Sequence, residues 1–316
     1  MYDKNLSNLA AIALALLVTF LWSTSFVIIK IGLDEIPPLT FAGLRYTIAF
    51  IALLPLAFRK QIRQEIINLK KTDWVKLILL GFTFYTFTQG AQFLGLSLLP
   101  AVTVSLLLNF TPIVVALMGI FLLSERPTAL QWLGSILFIV GVLVYFYPVI
   151  LNDNQTLGLI VMGIGVLANA GSAIIGRDVN RTASLSPITI TVISMGIGGI
   201  VLLIMGIGVQ GFPAISFTNI IYLLWLALIN TAFAFTLWNL TLRTLTAMES
   251  SIINGTMLIQ IAILAWVFLG ETITAKEGIG MIIAALGAVL VQIRRKNLRR
   301  NHNSCKSKIF HKLCLF

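Results

Sequence analysis

The chain has 316 residues, of which 58% are hydrophobic and only 10% charged, and its mean hydropathy is +0.98. A soluble domain keeps roughly a quarter of its residues charged, and so few polar groups cannot cover a folded surface in water. A water-soluble globule is therefore excluded; the net charge of +11 invites a nucleic-acid partner, but the placement of the charges argues for lipid instead.

A membrane-spanning helix needs about 20 mostly apolar residues. Such stretches follow one another at 9–29, 38–58, 74–97, 101–123, 129–147, 157–175, 188–208, 218–239, 250–269 and 277–293, which predicts an all-α membrane protein of ten transmembrane helices. The first stretch is longer than a secretory-signal core and is led only by Lys4 beside Asp3, so it reads as a retained span. The third and fourth stretches are parted by Pro100, which cannot sit inside a continuous helix. Cys305, Cys314, His302 and His311 all lie beyond the last stretch, so the spans hold no cysteine or histidine.

Lys and Arg cluster at 59–71, at Arg177 and Arg181, and from Arg294 to Lys312. With ten spans and a cytoplasmic N-terminus, all of these fall on the cytoplasmic side, as the positive-inside rule requires. Only Lys30, Arg45 and Lys276 of the 22 basic residues fall elsewhere. The basic run Arg294–Arg300 would lie against anionic headgroups or serve as a stop signal.

Displaced by 146 residues, Ala101–Tyr147 aligns without gaps on Ala247–Ile293, with 11 of 47 positions identical. Apolar sequences match easily, but the pairs Glu125/Glu271, Gly134/Gly280 and Gly141/Gly287 keep their spacing. Five spans per copy is an odd number, so the second copy runs through the membrane in the opposite sense. The expected organisation is a cytoplasmic N-terminus (1–8), a first five-helix repeat (9–147), an external linker (148–156), a second five-helix repeat (157–293) and a basic cytoplasmic tail (294–316). Two inverted repeats suit alternating access, in which similar halves exchange conformations around a central site.

The segment Leu21-Trp22-Ser23-Thr24-Ser25-Phe26 with Lys30, the Pro38…Arg45-Tyr46 segment and the two Glu-centred hairpins resemble the EamA-like transporters of the drug/metabolite transporter superfamily, over about residues 9–293. The resemblance implies an exporter or exchanger of amino acids, metabolites or drugs in a bacterial inner membrane, and leaves the substrate open. The second repeat carries Asn169-Ala170-Gly171-Ser172 where the first has its Trp-Ser segment, so the halves differ there.

Polar groups at membrane depth are costly unless they face protein or a water-filled cavity, and they mark the candidate path. They are Trp22, Ser23 and Ser25 in the first stretch, Gln89 and Gln92 in the third, and Asn109 and Pro112 in the fourth. In the second half they are Asn169, Asn230, Trp238, Asn254 and Gln260. Singly, an Asn or Gln can serve only to tie helices together, worth ~0.6 kcal/mol on average; as a set they point to a shared cavity. Asn109-Phe-Thr-Pro112 and Asn254-Gly255-Thr256 predict paired helix breaks in corresponding spans, which read either as the best sequence pointer to a transport site or as packing kinks of the kind proline produces. Arg45 can meet a substrate carboxylate, snorkel to the headgroups or brace helices, and the structural role is the expected one. Glu125 and Glu271 are expected to lock hairpins, and Glu249 is the acid nearest to a mid-span position.

An intramembrane metalloenzyme or cysteine enzyme lacks its residues in the spans, and a serine enzyme lacks a base. A channel lacks rings of charge or a carbonyl filter. No phosphate-binding glycine loop is present, so ATP does not drive the protein directly. A secondary transporter of amino acids or related metabolites is the leading reading, with multidrug efflux next and a non-transporting receptor or scaffold as the reading of another class. The partners expected are a small solute and membrane lipid, with a homodimer left open and no nucleic acid; no cofactor or metal is expected.

Overall fold

The computed structural model describes residues 7–123, 128–147, 152–181, 185–241, 244–245 and 253–292. Glu125, Glu249 and the basic tail lie outside the described residues. Every regular element among those described is helical. That is what lipid demands, because a helix satisfies its backbone polar groups within its own segment.

The elements are α1 (Asn8–Gly32), α2 (Pro38–Ala57), α3 (Lys60–Ile67), α4 (Lys71–Leu80), α5 (Gln89–Leu98), α6 (Ala101–Leu108) and α7 (Thr111–Leu123). They continue as α8 (Ala129–Phe146), α9 (Asp153–Arg181), α10 (Pro187–Gln210), α11 (Phe217–Ala227), α12 (Ala234–Thr241), α13 (Met257–Leu269) and α14 (Ala275–Gln292). Two stretches wound with i→i+5 hydrogen bonds, Gly81–Thr88 and Leu228–Phe233, join α4 to α5 and α11 to α12.

Helix starts are set by local chemistry. Ser7, Ser186 and Ser216 accept the orphan N–H groups that open α1, α10 and α11. Thr128 with Gln131, and Thr274 with Glu277, form reciprocal capping pairs at the starts of α8 and α14. Gly270 ends α13 at φ 65°, a left-handed conformation that glycine adopts without a Cβ penalty.

Among the described residues, seven helical segments are long and apolar enough to cross a membrane, and Ile253–Leu269 is a shorter apolar helix. The protein is an integral membrane protein. The expected 74–97 stretch is helical throughout, but Thr83, Thr86, Thr88, Gln89 and Gln92 dilute its apolar character. The 277–293 stretch corresponds to α14, which opens on Lys276 and Glu277. Neither is among the seven. The 101–123 stretch is divided: a turn at Asn109–Phe110 separates α6 from α7.

Two helix pairs form the most extensive contacts, α8 with α14 and α2 with α10. In the first pair the backbones touch. A Cβ on Gly141 would lie 2.4 Å from the Ala284 nitrogen, and one on Gly280 would lie 2.7 Å from the Gly141 oxygen. A Cβ on Gly134 would meet the Gly287 oxygen at 2.8 Å, and one on Gly287 the Gly134 oxygen at 2.7 Å. Small residues at such crossings let membrane helices gain dispersion contacts along their length. In the second pair Gly43 admits the Leu203 backbone and Gly206 admits that of Thr40.

Several features recur at the 146-residue displacement. The turn at Asn109–Phe110 falls on Gly255–Thr256, where a turn at Thr256 precedes α13. The i→i+5 stretch Gly81–Thr88 falls across Leu228–Phe233, and the Thr128/Gln131 cap falls on Thr274/Glu277. The glycine contacts map onto one another, because Gly134–Gly287 becomes Gly280–Gly141 when the halves are exchanged. Helix packing follows suit: α1 packs on α12 and α13, while α9 packs on α5 and α7.

Candidate functional site

Helix α1 is the hub of the polar interior, and the order Trp22-Ser23-Thr24-Ser25 spreads its groups over two faces. Trp22 and Ser25, three residues apart, share the face that meets α12 and the stretch Leu228–Phe233. Thr19 and Ser23, four apart, share the face that meets α13.

On the α13 side, the Ser23 hydroxyl donates to Gln260 Oε1 at 2.9 Å, and Gln260 Nε2 donates to Thr256 Oγ1 at 3.0 Å, within the interrupted segment. On the other side, Asn230 Nδ2 donates to the Leu21 carbonyl at 2.8 Å, to Ser25 Oγ at 2.8 Å and to Thr24 Oγ1 at 3.1 Å. A carbonyl can only accept, so these contacts fix the amide orientation. Asn230 Oδ1 is left buried with no donor among the described residues.

Arg45 enters the same cluster from α2 and is only 3% exposed. Its Nε donates to Thr231 Oγ1 at 2.9 Å and one Nη donates to Ser25 Oγ at 3.4 Å. Thr231 can accept because its own proton goes to the Leu226 carbonyl, five residues back at the end of α11. The guanidinium also lies 5.4 Å from the Tyr46 ring and 6.0 Å from that of Phe93, close enough for cation–π attraction. Arg45 does not snorkel. It is the sole charged side chain in the buried class among the described residues, and no carboxylate there lies within ion-pair distance of it.

A continuous run of ring contacts leads away from this cluster. Trp238 and Phe235 each lie 5.2 Å from Trp22, Phe235 lies 6.1 Å from Phe84, Phe84 lies 4.9 Å from Tyr85, and Tyr85 lies 5.4 Å from Tyr46. The Trp22 indole nitrogen is buried and has no acceptor among the described residues. Buried polar groups are nearly always bonded, so the unmet donor on Trp22 and acceptor on Asn230 call for an explanation.

The structure thus brings together Trp22, Ser23, Ser25, Asn230, Trp238 and Gln260 around α1. Asn169 stands apart and donates to Thr111 Oγ1 at 3.0 Å, joining α9 to the start of α7 beside Pro112. Asn109 keeps its amide on the Ser105 carbonyl of the preceding helix α6 at 2.8 Å, and Asn254 is exposed. Gln89 and Gln92 are buried in α5 without a hydrogen-bond partner among the described residues. Thr231, Thr19, Tyr46 and the Phe84–Tyr85 pair are not among the candidates read from the sequence; adjacency to Asn230 and to Arg45 could have pointed to Thr231 and Tyr46.

At the end where α1 finishes, Lys30 Nζ donates to the Leu96 carbonyl at 2.7 Å and the Leu99 carbonyl at 2.6 Å. Glu271 accepts from the Ala101 N–H at 2.7 Å and the Val102 N–H at 3.3 Å. The cation thus faces the carbonyl end of α5 and the anion the amide end of α6, each matching the helix dipole. Glu271 thus locks the end of α13 onto the start of α6, whereas the sequence predicts that it locks the hairpin it centres.

A model of the EamA-like transporter family matches residues 9–147 and 156–293, the two halves separately. A Bacillus subtilis protein named "Uncharacterized transporter YvbV" is 29% identical, over 89% of this chain and 92% of its own. A Salmonella typhimurium protein named "Probable amino-acid metabolite efflux pump" is 27% identical, over 87% and 92%. A Chlamydia trachomatis S-adenosylmethionine/S-adenosylhomocysteine transporter is 25% identical, over 83% of each chain. A crystal structure of a protein 15% identical to this chain superposes with a TM-score of 0.63, covering 90% of this chain and 98% of the other, and so shares its fold.

Proposed function

Since the chain belongs to the EamA-like transporter family, we propose that it is a secondary transporter that exports or exchanges amino acids or related small metabolites by alternating access. The observation that carries the proposal is the recurrence of helix interruptions at one displacement, Asn109–Phe110 with Gly255–Thr256 and Gly81–Thr88 with Leu228–Phe233. Interrupted helices in matching positions of two halves flank the solute sites of inverted-repeat transporters, and i→i+5 turns concentrate at functional sites. In this reading ten helices form two five-helix repeats of opposite sense, in a plasma membrane, with both termini cytoplasmic where the basic residues collect. The solute meets α1 and its neighbours, and Trp22, Ser25, Asn230, Trp238 and Gln260 line its way.

The substrate class is supported by two relatives whose names specify an amino-acid metabolite and S-adenosylmethionine. A pump for cationic drugs would be better served by a buried acid, and Arg45 gives the site the opposite sign. The test is efflux of preloaded labelled amino acids from proteoliposomes, with and without a pH gradient, beside a matched panel of cationic drugs. Protein-dependent efflux of an amino acid is expected; movement of the drugs alone would overturn the substrate class, and movement of neither panel the transport of both.

A further inference from the structure

We propose that Arg45 and Asn230 together read the α-amino-carboxylate end of the solute, the guanidinium taking the carboxylate and Asn230 Oδ1 taking the ammonium. The inference rests on the transport reading above and says which end of the solute is recognised and by which atoms.

A buried guanidinium is expensive without an anion, and neutral hydroxyls and aromatic faces offset only part of that cost. Of the five N–H donors on Arg45, two contacts are made, to Thr231 and Ser25; the other donors have no acceptor among the described residues. Within one hydroxyl of this surplus of donors stands a surplus acceptor. Ser25 Oγ receives Arg45 Nη at 3.4 Å and Asn230 Nδ2 at 2.8 Å, so the positive fork and the unmet Asn230 Oδ1 flank a single side chain. A carboxylate and an ammonium carried on one carbon present the complementary pair at that short separation.

The depth is right as well. Arg45 lies seven residues from the start of α2 and Ser25 seven from the end of α1, about 10 Å in from one face by helical rise. Thr231 and Asn230 sit in the i→i+5 stretch Leu228–Phe233, whose looser winding leaves both side chains pointing into the cluster. A decarboxylated amine would leave the guanidinium unmatched, and a desamino acid would leave Asn230 Oδ1 unmatched. Sites with buried polar groups reject analogues that lack the partner group far more strongly than apolar pockets reject a missing methylene.

The experiment uses the full chain in proteoliposomes and labelled L-threonine, L-methionine and L-phenylalanine as probes. For any probe that is moved, its carboxamide, decarboxylated amine and desamino acid are run as competitors. In the native protein each analogue should compete at least about 10-fold more weakly than the amino acid, the size of one charge-assisted hydrogen bond. Arg45→Gln should lose the preference for acid over amide, Arg45→Lys should keep part of it, and Asn230→Val should lose only the preference over the desamino acid. If Arg45→Gln does not fold, as judged by elution profile and melting, Asn230→Val and the native competition series decide the matter. Amino-acid flux in which all analogues compete equally, or an Arg45→Gln protein with native preference, would overturn this inference and leave the transport reading standing. Absence of amino-acid flux in the native protein would overturn the substrate class itself, and this inference with it.

Discussion

Gly278 and Gly280 lie two residues apart on α14 and should answer differently to the same substitution. A Cβ at Gly278 meets nothing within 4 Å, whereas one at Gly280 falls 2.7 Å from both the Gly141 oxygen and the Tyr145 nitrogen. Ordinary heavy-atom contact is about 3.5–4.0 Å, so Gly280→Ala forces α8 and α14 about 1 Å apart at a backbone-to-backbone crossing. Overpacking of that kind costs about 1–3 kcal/mol, while replacing a helical glycine by alanine returns up to about 1 kcal/mol. Gly278→Ala keeps the gain without the clash. The two variants should therefore differ by about 1–3 kcal/mol, or several degrees at about 2–4 °C per kcal/mol, in thermal unfolding of the detergent-solubilised protein. Gly134→Ala and Gly287→Ala, whose added carbons meet Gly287 and Phe138 backbone atoms, should behave like Gly280→Ala. A Gly280→Ala protein that melts at or above Gly278→Ala would refute the crossing.

Glu271→Ala removes the acceptor from the first two N–H groups of α6 and should cost about 0.5–2 kcal/mol, the range for a lost helix cap. Hydrogen exchange at Ala101 and Val102 should quicken, and unchanged exchange would count against the lock. Gln260→Leu breaks the Ser23 and Thr256 contacts, so stability should fall by less than about 1 kcal/mol, while flux falls several-fold; unchanged flux would make Gln260 a packing residue alone. Glu65, on the short helix after α2, accepts from the Ser186 N–H at 2.9 Å and the Thr189 hydroxyl. Some desolvation opposes ionisation, but these bonds hold its carboxyl below the ordinary value of 4.5. Its contribution is thus present above pH 4.5 and lost as pH falls below it. Glu65→Gln should be less stable than native at neutral pH, by under about 1 kcal/mol for so exposed a group, and the gap should close in acid; a gap that widens in acid would be the wrong sign.

Much of the fold was legible because breaks in membrane helices need particular residues. Asn109-Phe-Thr-Pro112 and Asn254-Gly255-Thr256 announced the interruptions, while the matched spacing of Gly134, Gly141, Gly280 and Gly287 marked the repeat without showing that these glycines meet. The two i→i+5 stretches were not legible, since Gly81–Thr88 and Leu228–Phe233 contain no proline and owe their winding to packing and to hydroxyls that bond five residues back. Nor could the direction of side chains be read. A helix apolar on all sides carries no amphipathic stripe, so the sequence could not say that Asn230 points inward while Asn254 is exposed. Arg45 offered three destinations, and only its partners on α1 and in the Leu228–Phe233 stretch ruled out the headgroups.

The fastenings of α2 to α10 have a mechanical consequence. At one end the Leu39 N–H reaches Gln210 and the Thr40 hydroxyl reaches the Gly211 carbonyl. At the other, Glu65, on α3 directly after α2, holds Ser186 and Thr189 at the start of α10, and between them glycines bring the α2 and α10 backbones into contact. A pair tied at both ends and seamed along its middle cannot pivot without breaking those ties. Arg45 is mounted on it. In the transport reading, a solute held at Arg45 would keep its place on this pair, to which the interrupted stretch Gly81–Thr88 is itself fastened by the Thr86 hydroxyl on the Gly198 carbonyl.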